Sequence, residues 1–204
     1  MIKCEVEVCA KITRAATVKE SRDGNPFLSF SVQLPISGRD GSTINQDISV
    51  SVDGDKKSQG IYVSGRKVII HGNLSIRKKS ENTYFNLRAD SVDLCKSNES
   101  SRIEGTLHFL GKIGKKGIEE HQDKKGNSFK SFSAFSSDKD GDDVNFTWVR
   151  FLYFSPKEDE EFLTANSFVA ITGDLQIGVF HDSVSIDCKV GSVSEWKKEQ
   201  KNND

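Results

Sequence analysis

The stretch Val68–Ile76 reads VIIHGNLSI, and the stretch Val169–Ile177, 101 residues further on, reads VAITGDLQI. Both place apolar residues at alternate positions around a Gly and a Leu, as in a strand with one buried face. Other pairs of similar segments follow in the same order at offsets of 101 or 102: AKI at 10–12 with GKI at 111–113, GNPFLSFSV at 24–32 with GNSFKSFSA at 126–134, IY at 61–62 with FL at 162–163, and 87–92 with 188–193. This order predicts that the chain contains two copies of one folding unit.

The length agrees with a duplication, because 204 residues suffice for two domains of the common size of about 100 residues each. We expect the boundary in the polar stretch 96–101, which gives domains at residues 1–98 and 99–204.

Each copy contains five segments with the alternation of strands and one helical signal between the third and the fourth. The helical signal is clearest at Ser155, Pro156 and Glu158, which match an N-cap, a first helical residue and the closing Glu of a capping box. This order is that of the oligonucleotide/oligosaccharide-binding (OB) barrel. We therefore predict an all-β protein of two tandem OB-fold five-stranded Greek-key barrels, each with a short helix between strands three and four. An unrelated all-β sandwich with the same strand count is the alternative.

The repeat also fixes which side chains face outward, because a strand shifted by one residue exchanges its two faces. Alignment with Ile48, Val50 and Val52 predicts that Val149, Phe151 and Tyr153 fill the second barrel. The outward side chains of its second and third strands are then Phe129, Phe135, Phe146, Trp148, Arg150 and Phe154, with Lys130 turned inward or toward the rim.

Aromatic side chains on an outer face do not add to the core and usually mark a binding surface. Together with Arg150 and Lys130 they form the pattern that binds a single nucleic-acid strand, in which bases stack on rings and cations neutralise phosphates. The alternative is that another domain or a second subunit covers these aromatic side chains.

The two halves differ in chemistry. Residues 1–98 hold 5 of the 18 aromatic residues and a net charge of +4, whereas residues 99–204 hold 13 and a net charge of −5. In the first half, Asp47 and Ser49 stand where the second has Trp148 and Arg150. Its candidate binding residues are Arg77, Lys78 and Lys79, expected in the loop between strands four and five, and Tyr84. We expect the first barrel to hold phosphates and the second to stack bases, although a basic loop is also a common solvated hairpin tip.

The segment Phe146–Phe154, FTWVRFLYF, followed by Val169–Leu175, VAITGDL, resembles the bacterial and phage single-stranded DNA-binding proteins. Residues 65–74, GRKVIIHGNL, resemble the same strand in the first half. The resemblance implies that Trp148 and Phe154 stack on bases, that Arg150 contacts the DNA backbone, and that the protein is a homodimer, since this family uses about four barrels. The family's acidic tail with a terminal Phe, which recruits replication and repair proteins, has no counterpart in residues 196–204.

Other functional classes lack their signatures. The net charge of −1 argues against a protein that binds through overall basicity, and no stretch of 18 apolar residues predicts a membrane span. The charged start predicts no signal peptide, and four Cys without a C-x-x-C pair suggest the cytoplasm. The four His are scattered, and the Gly- and Lys-rich stretch 111–117 lacks the P-loop order, so we expect neither an enzyme nor a metal or cofactor site.

Together these features predict a non-catalytic protein that coats single-stranded DNA in replication, recombination or repair, encoded by a phage or plasmid. Two alternatives stay open: a module for protein interaction or assembly that uses the aromatic surface for a partner, and a binder of single-stranded RNA, which the same stacking allows.

Overall fold

The computed structural model describes residues 2–38, 40–79, 82–95, 98–140, 143–157 and 160–197. Its regular structure is almost entirely strand, which confirms the all-β prediction. The strands are β1 (Ile2–Glu20), β2 (Pro26–Ser37), β3 (Thr43–Asp53), β4 (Lys67–Lys79), β5 (Asn82–Leu94), β6 (Arg102–Gln122), β7 (Ser128–Asp140), β8 (Asp143–Tyr153), β9 (Phe168–Phe180) and β10 (Ser183–Glu195).

The first five strands form a closed ring of pairings. β1 pairs antiparallel with β2 and with β4, β2 with β3, and β4 with β5, and a parallel pairing of β3 with β5 completes the ring. The apolar face predicted from the alternation lines its interior, and Leu28, Phe30, Val32, Ile48 and Val50 are all fully buried.

The second five strands repeat this ring. β6 pairs antiparallel with β7 and β7 with β8, β8 pairs parallel with β10, and β9 is the neighbour of both β10 and β6. Phe109, Phe132 and Phe151 lie in its interior, with the Phe151 ring centroid 5.0 Å from that of Phe109 and 5.2 Å from that of Phe132. The interior of this second ring of strands is therefore built around aromatic side chains.

In both copies the first strand leaves its regular pairing with the second strand at the same place. In the first copy the pairing shifts between Ile12 and Thr17, and in the second between Ile113 and Ile118. Residues 114–117 then oppose a single residue of β7, a bulge that includes Gly117 at φ 77°. The change of offset from 101 to 102 falls at this bulge.

The segments between the third and fourth strands, where a short helix was predicted in each copy, contain little helix. Between β3 and β4 the structure has a three-residue 3₁₀ helix, Gln59–Ile61, and between β8 and β9 the described residues form bends and turns. Glu158, the closing residue of the proposed capping box, lies outside the described residues. Glu160 instead accepts hydrogen bonds from the Lys157 backbone N–H at 3.2 Å and from the Tyr153 hydroxyl at 2.6 Å.

Of the described residues, 3–106 and 177–185 form one compact unit, and Ile2, 107–176 and 186–197 form another. They are called the first and the second unit below. The domain boundary after residue 98 stays a prediction. Within the described part of the chain, the structure contains no helix with the length and apolar character needed to cross a membrane.

Candidate nucleic-acid interface

Strand β8 alternates between the interior and the surface of the second unit. Val149, Phe151 and Tyr153 are buried, whereas Trp148 is 51% exposed and Phe146 is 48% exposed. The register inferred from the repeat therefore agrees with the structure, and the indole of Trp148 lies on the outside.

Tyr153 anchors one end of this strand. Burial, together with the hydrogen bond to the Glu160 carboxylate, raises the pKa of the Tyr153 hydroxyl to about 12. The phenol is protonated at neutral pH, as any tyrosine is, and donates this hydrogen bond to Glu160. This fixes the strand end beside Phe154.

Trp148 belongs to a group of three rings on the surface of β7 and β8. Phe135 pairs with Trp148 across the two strands, and their ring centroids are 4.9 Å apart at an interplanar angle of 53°. The Phe146 ring meets the Phe135 ring edge to face, with centroids 5.3 Å apart. We name Phe129, Phe135, Phe146, Trp148 and Phe154 the aromatic face.

The indole of Trp148 also lies against the backbone of Gly114 on β6. A Cβ atom at Gly114 would lie 3.1 Å and 3.3 Å from two carbons of the indole six-membered ring, closer than ordinary van der Waals contact. The absence of a side chain at Gly114 therefore lets the indole lie on the strand surface. In the sequence this glycine belongs to the Gly- and Lys-rich stretch 111–117, where nothing pointed to a contact with Trp148.

The other two members of the aromatic face form a separate stack. The Phe129 and Phe154 rings have centroids 5.0 Å apart at 27°, and the imidazole of His121 stacks on the other side, 5.1 Å from Phe129. Phe154 is 44% exposed and His121 is also exposed, so both ends of the stack meet solvent. His121 was not among the candidate residues, and its Nε2 lies 2.8 Å from the Ser131 hydroxyl oxygen.

Arg150 lies on the same side of β8 as Trp148, and its guanidinium is paired with a carboxylate. The Nε atom donates to Asp187 Oδ1 at 3.2 Å, and a second nitrogen donates to Oδ2, so the contact is bidentate. Asp187 stands opposite Arg150 in the parallel pairing of β8 and β10. Half of the Arg150 side chain remains exposed, but its charge is balanced within the unit.

Lys130 stands opposite Tyr153, one residue along from Phe129, and is half-buried. It shares the side of β7 that buries Phe132 and Ala134, and it lies at the end of the strand. This matches the predicted position at the rim of the ring.

The structure places the remaining candidates in the first unit, on the arms of the β4–β5 hairpin. Arg77, Lys78 and Lys79 belong to β4 rather than to a loop, since pairing with β5 continues through Lys79. Arg77 stands opposite Tyr84, which is 48% exposed. Backbone pairing in a hairpin extends past the apolar alternation, which is why the loop was predicted too long. Ser80 and Glu81 lie outside the described residues.

The aromatic face has the chemistry needed to hold flat, unpaired rings. Exposed indole and phenyl faces stack with any base, whereas a duplex keeps its base faces covered by neighbouring pairs. The bases of a single strand are therefore the ligands that this surface suits best among nucleic acids.

No protein-family model matches the chain, and no curated protein matches it. Among solved structures, the chain is similar to the wild-type single-stranded DNA-binding protein from Thermus aquaticus, with a TM-score of 0.49, 11% identity, and coverage of 97% of this chain and 94% of that chain. A deletion mutant of the Thermus aquaticus protein aligns with a TM-score of 0.47 and 13% identity over 98% of both chains. A small single-stranded DNA-binding protein from Streptomyces coelicolor covers 49% of this chain and 96% of its own length, with a TM-score of 0.36 and 14% identity. The side chains of the aromatic face, rather than these similarities, are the basis of the functional proposal.

Proposed function

We propose that this protein binds single-stranded DNA without preference for base sequence and coats it during replication, recombination or repair. Bases stack on the aromatic face of the second unit, while cations contact phosphates. In this proposal the two rings of strands are tandem OB-fold barrels, with the short 3₁₀ helix Gln59–Ile61 before the fourth strand of the first, and residues 1–98 and 99–204 are the two domains.

The observation that carries the proposal is the exposure of Trp148 beside Phe135 and Phe146. A group of large rings left on the surface of a strand pair is costly in water unless a ligand covers it. Stacking of one base on such a ring contributes ~1–3 kcal/mol. A few stacked bases therefore suffice for useful affinity even where cations are sparse.

The remaining parts of the proposal follow from the sequence. We propose a non-catalytic protein of the cytoplasm that acts as a homodimer, is encoded by a phage or plasmid, and cooperates with replication or recombination proteins. In the first unit, Arg77, Lys78, Lys79 and Tyr84 hold the DNA backbone.

Tryptophan fluorescence tests the central claim. In the variant Trp196→Phe, Trp148 is the sole tryptophan, and we expect poly-dT to quench its emission strongly as bases stack on the indole. Anisotropy of a labelled dT oligomer measures binding independently of the indole. Binding without quenching would overturn the role of the aromatic face, and no binding at all would overturn the proposed function.

Two further arms address the alternatives. Equal-length dT and rU oligomers compare DNA with RNA, and tighter binding of rU would replace the DNA proposal by an RNA one. Sedimentation with and without dT addresses the assembly role. An assembly module would be favoured by two results together. The wild-type protein would self-associate and Trp148→Ala would not, and titration with dT would produce no binding signal.

A further inference from the structure

Four neighbouring strands of the second unit each contribute one outward side chain to a single row across the strands. In order, the row consists of Phe168 on β9, Lys112 on β6, Phe135 on β7 and Trp148 on β8. Each member is next in sequence to a buried residue of its strand: Val169, Ile113, Ala134 and Val149, respectively. We name these four residues the transverse row.

Lys112 connects the two ends of the transverse row. It stands opposite Phe135 in the pairing of β6 and β7, and its ammonium nitrogen lies 5.7 Å from the centroid of the Phe168 ring. A cation over the face of a phenyl ring is attracted by the ring quadrupole, which holds the ammonium at this position. The row thus has a positive charge between its aromatic ends.

A second aromatic pair lies at the Phe168 end. The Trp196 backbone N–H donates to the Phe168 carbonyl oxygen at 2.9 Å, and the two rings meet edge to face with centroids 5.8 Å apart. Phe168 is 38% exposed, and the Trp196 side chain is partly exposed. Neither ring belongs to the aromatic face.

We propose that Phe168, Trp196 and Lys112 form a second base-stacking position for single-stranded DNA. A base stacks on Phe168 and Trp196 and displaces the Lys112 ammonium from the Phe168 ring, and the ammonium then contacts the phosphates of the nucleotides between this position and Trp148. The proposal rests on the proposed function and extends it, because it sets the direction of the strand across the second unit.

The geometry gives the length of DNA that the two positions need. Trp148 and Phe168 are separated by three strand intervals, which is about 14 Å along the sheet at about 4.8 Å per interval. A strand kept at the duplex rise of about 3.4 Å per nucleotide would need about four steps to cover this distance, and a single strand extended by stacking its bases on separate rings needs fewer. A dinucleotide, which has a single step, therefore occupies one position at a time, and long oligomers occupy both.

The two tryptophans allow each position to be observed alone. In Trp148→Phe, the emission comes from Trp196, and in Trp196→Phe it comes from Trp148. We expect saturating dT20 to quench both variants. Quenching of Trp148 together with unchanged Trp196 emission would overturn the second position and leave the proposed function intact. Failure of labelled dT20 to bind the wild-type protein would instead remove the proposed function itself.

Affinity against oligomer length gives a test that does not depend on fluorescence of Trp196. We expect Trp196→Ala to weaken binding of dT20 at least about fivefold and to change binding of dT2 at Trp148 by less than about twofold. An unchanged circular dichroism spectrum and Trp148 emission verify folding of the variant. Equal losses for dT2 and dT20, or no loss for either, would contradict a second position.

The charge of Lys112 is tested by Lys112→Met, which keeps the apolar stem over Phe168. We expect the slope of log K against log salt to become shallower by about 0.7, the value for one phosphate contact on a single strand. Lys3→Met, on an exposed position of β1 in the first unit, is the matched control and should leave the slope unchanged. A slope equal to wild type in Lys112→Met would overturn the assigned phosphate contact.

Discussion

The two units place different side chains at the same positions of the same ring of strands. The first-unit counterparts of the transverse row are Lys67, Lys11, Gln33 and Asp47. Their register is the same, since Lys11 stands opposite both Lys67 and Gln33, and Gln33 stands opposite Asp47. The backbone that supports an aromatic surface in one unit therefore supports a polar surface in the other.

The local contacts change with the side chains. Where Phe135 packs on Trp148 in the second unit, Gln33 Nε2 donates to Asp47 Oδ1 at 3.2 Å in the first. Where Gly114 accommodates the indole, Thr13 uses its hydroxyl to donate to the Ser31 carbonyl oxygen at 3.4 Å. Strand pairing and interior packing thus determine the ring, and the outer residues are free to determine its ligand.

The residue that follows the last strand of each copy also differs in chemistry between the two units. Trp196 and Cys95 occupy equivalent places, and each backbone N–H donates to the first residue of the adjoining strand, Phe168 or Lys67. In the second unit this residue adds an indole to the surface. In the first unit it adds a thiol whose sulfur lies 3.7 Å from that of Cys9, and burial raises the pKa of Cys95 to about 11.

The largest expected effect comes from removing the indole of Trp148, which has no counterpart in the first unit. Trp148→Ala should weaken binding of a dT oligomer by ~1–3 kcal/mol, at least about fivefold in Kd, because one stacked base loses its partner. The matched variant Asp47→Ala should leave Kd within about twofold. Anisotropy of a labelled oligomer measures both. Similar losses in the two variants would show that the two surfaces contribute alike.

The reverse exchange should build a stacking surface on the first unit. In Thr13→Gly/Gln33→Phe/Asp47→Trp, the three positions copy Gly114, Phe135 and Trp148. We expect about fivefold tighter binding of long dT, since each base stacked contributes ~1 kcal/mol or more. Asp47→Trp alone is the control and should gain less, because the Thr13 side chain stays where the indole must lie. No gain in the triple variant would mean that the three copied residues are insufficient to bind a base.

Removing the carboxylate that balances Arg150 should strengthen binding modestly. In Asp187→Asn, the guanidinium is no longer neutralised and can contact a phosphate, which should steepen the salt slope by about 0.7 and tighten binding a few-fold at low salt. Asp90→Asn, on an exposed position of β5, changes the net charge equally and should leave the slope as it is. Weaker binding in Asp187→Asn would mean instead that the ion pair positions Arg150.

A smaller effect is expected from adding one methyl group beneath the indole. In Gly114→Ala, the new Cβ lies within 3.3 Å of two indole carbons and 3.2 Å from the Ser133 carbonyl oxygen. Since the backbone oxygen is held by strand pairing, we expect the indole to shift by a few tenths of an ångström. We expect a shifted Trp148 emission maximum and about a twofold loss of affinity. Thr13→Ala is the counterpart in the first unit and should alter neither quantity. An unchanged emission maximum in Gly114→Ala would mean that the glycine does not set the position of the indole.

The sequence predicted which side chains face the interior and which face the surface, because the strand register could be read in both copies of the repeat. Phe151 and Trp148 were assigned to opposite faces by alignment with Val50 and Asp47, and the structure agrees. Alternation along a strand is a local property, so two copies suffice to read it.

The contacts beyond a single strand pair were not predictable in this way. Asp187 meets Arg150 only through the parallel pairing of β8 and β10, across 37 residues of sequence. Gly114 reaches Trp148 from a bulge, where the spacing of side chains departs from simple alternation. The end of β4 at Lys79 was missed because the hairpin arms pair through their backbones in solvent, where no apolar pattern marks them.

The smallest effect, and the one that defines the contribution of the first unit, concerns the β4–β5 hairpin. Lys79→Ala should weaken dT binding by less than about twofold while making the salt slope shallower by about 0.7, because a lysine on an exposed strand end contributes a single phosphate contact. Titrations at two salt concentrations separate this change from that of Trp148→Ala, which should lower affinity with little change of slope. Equal losses of affinity in the two variants would contradict the division between phosphate contacts in the first unit and base stacking in the second.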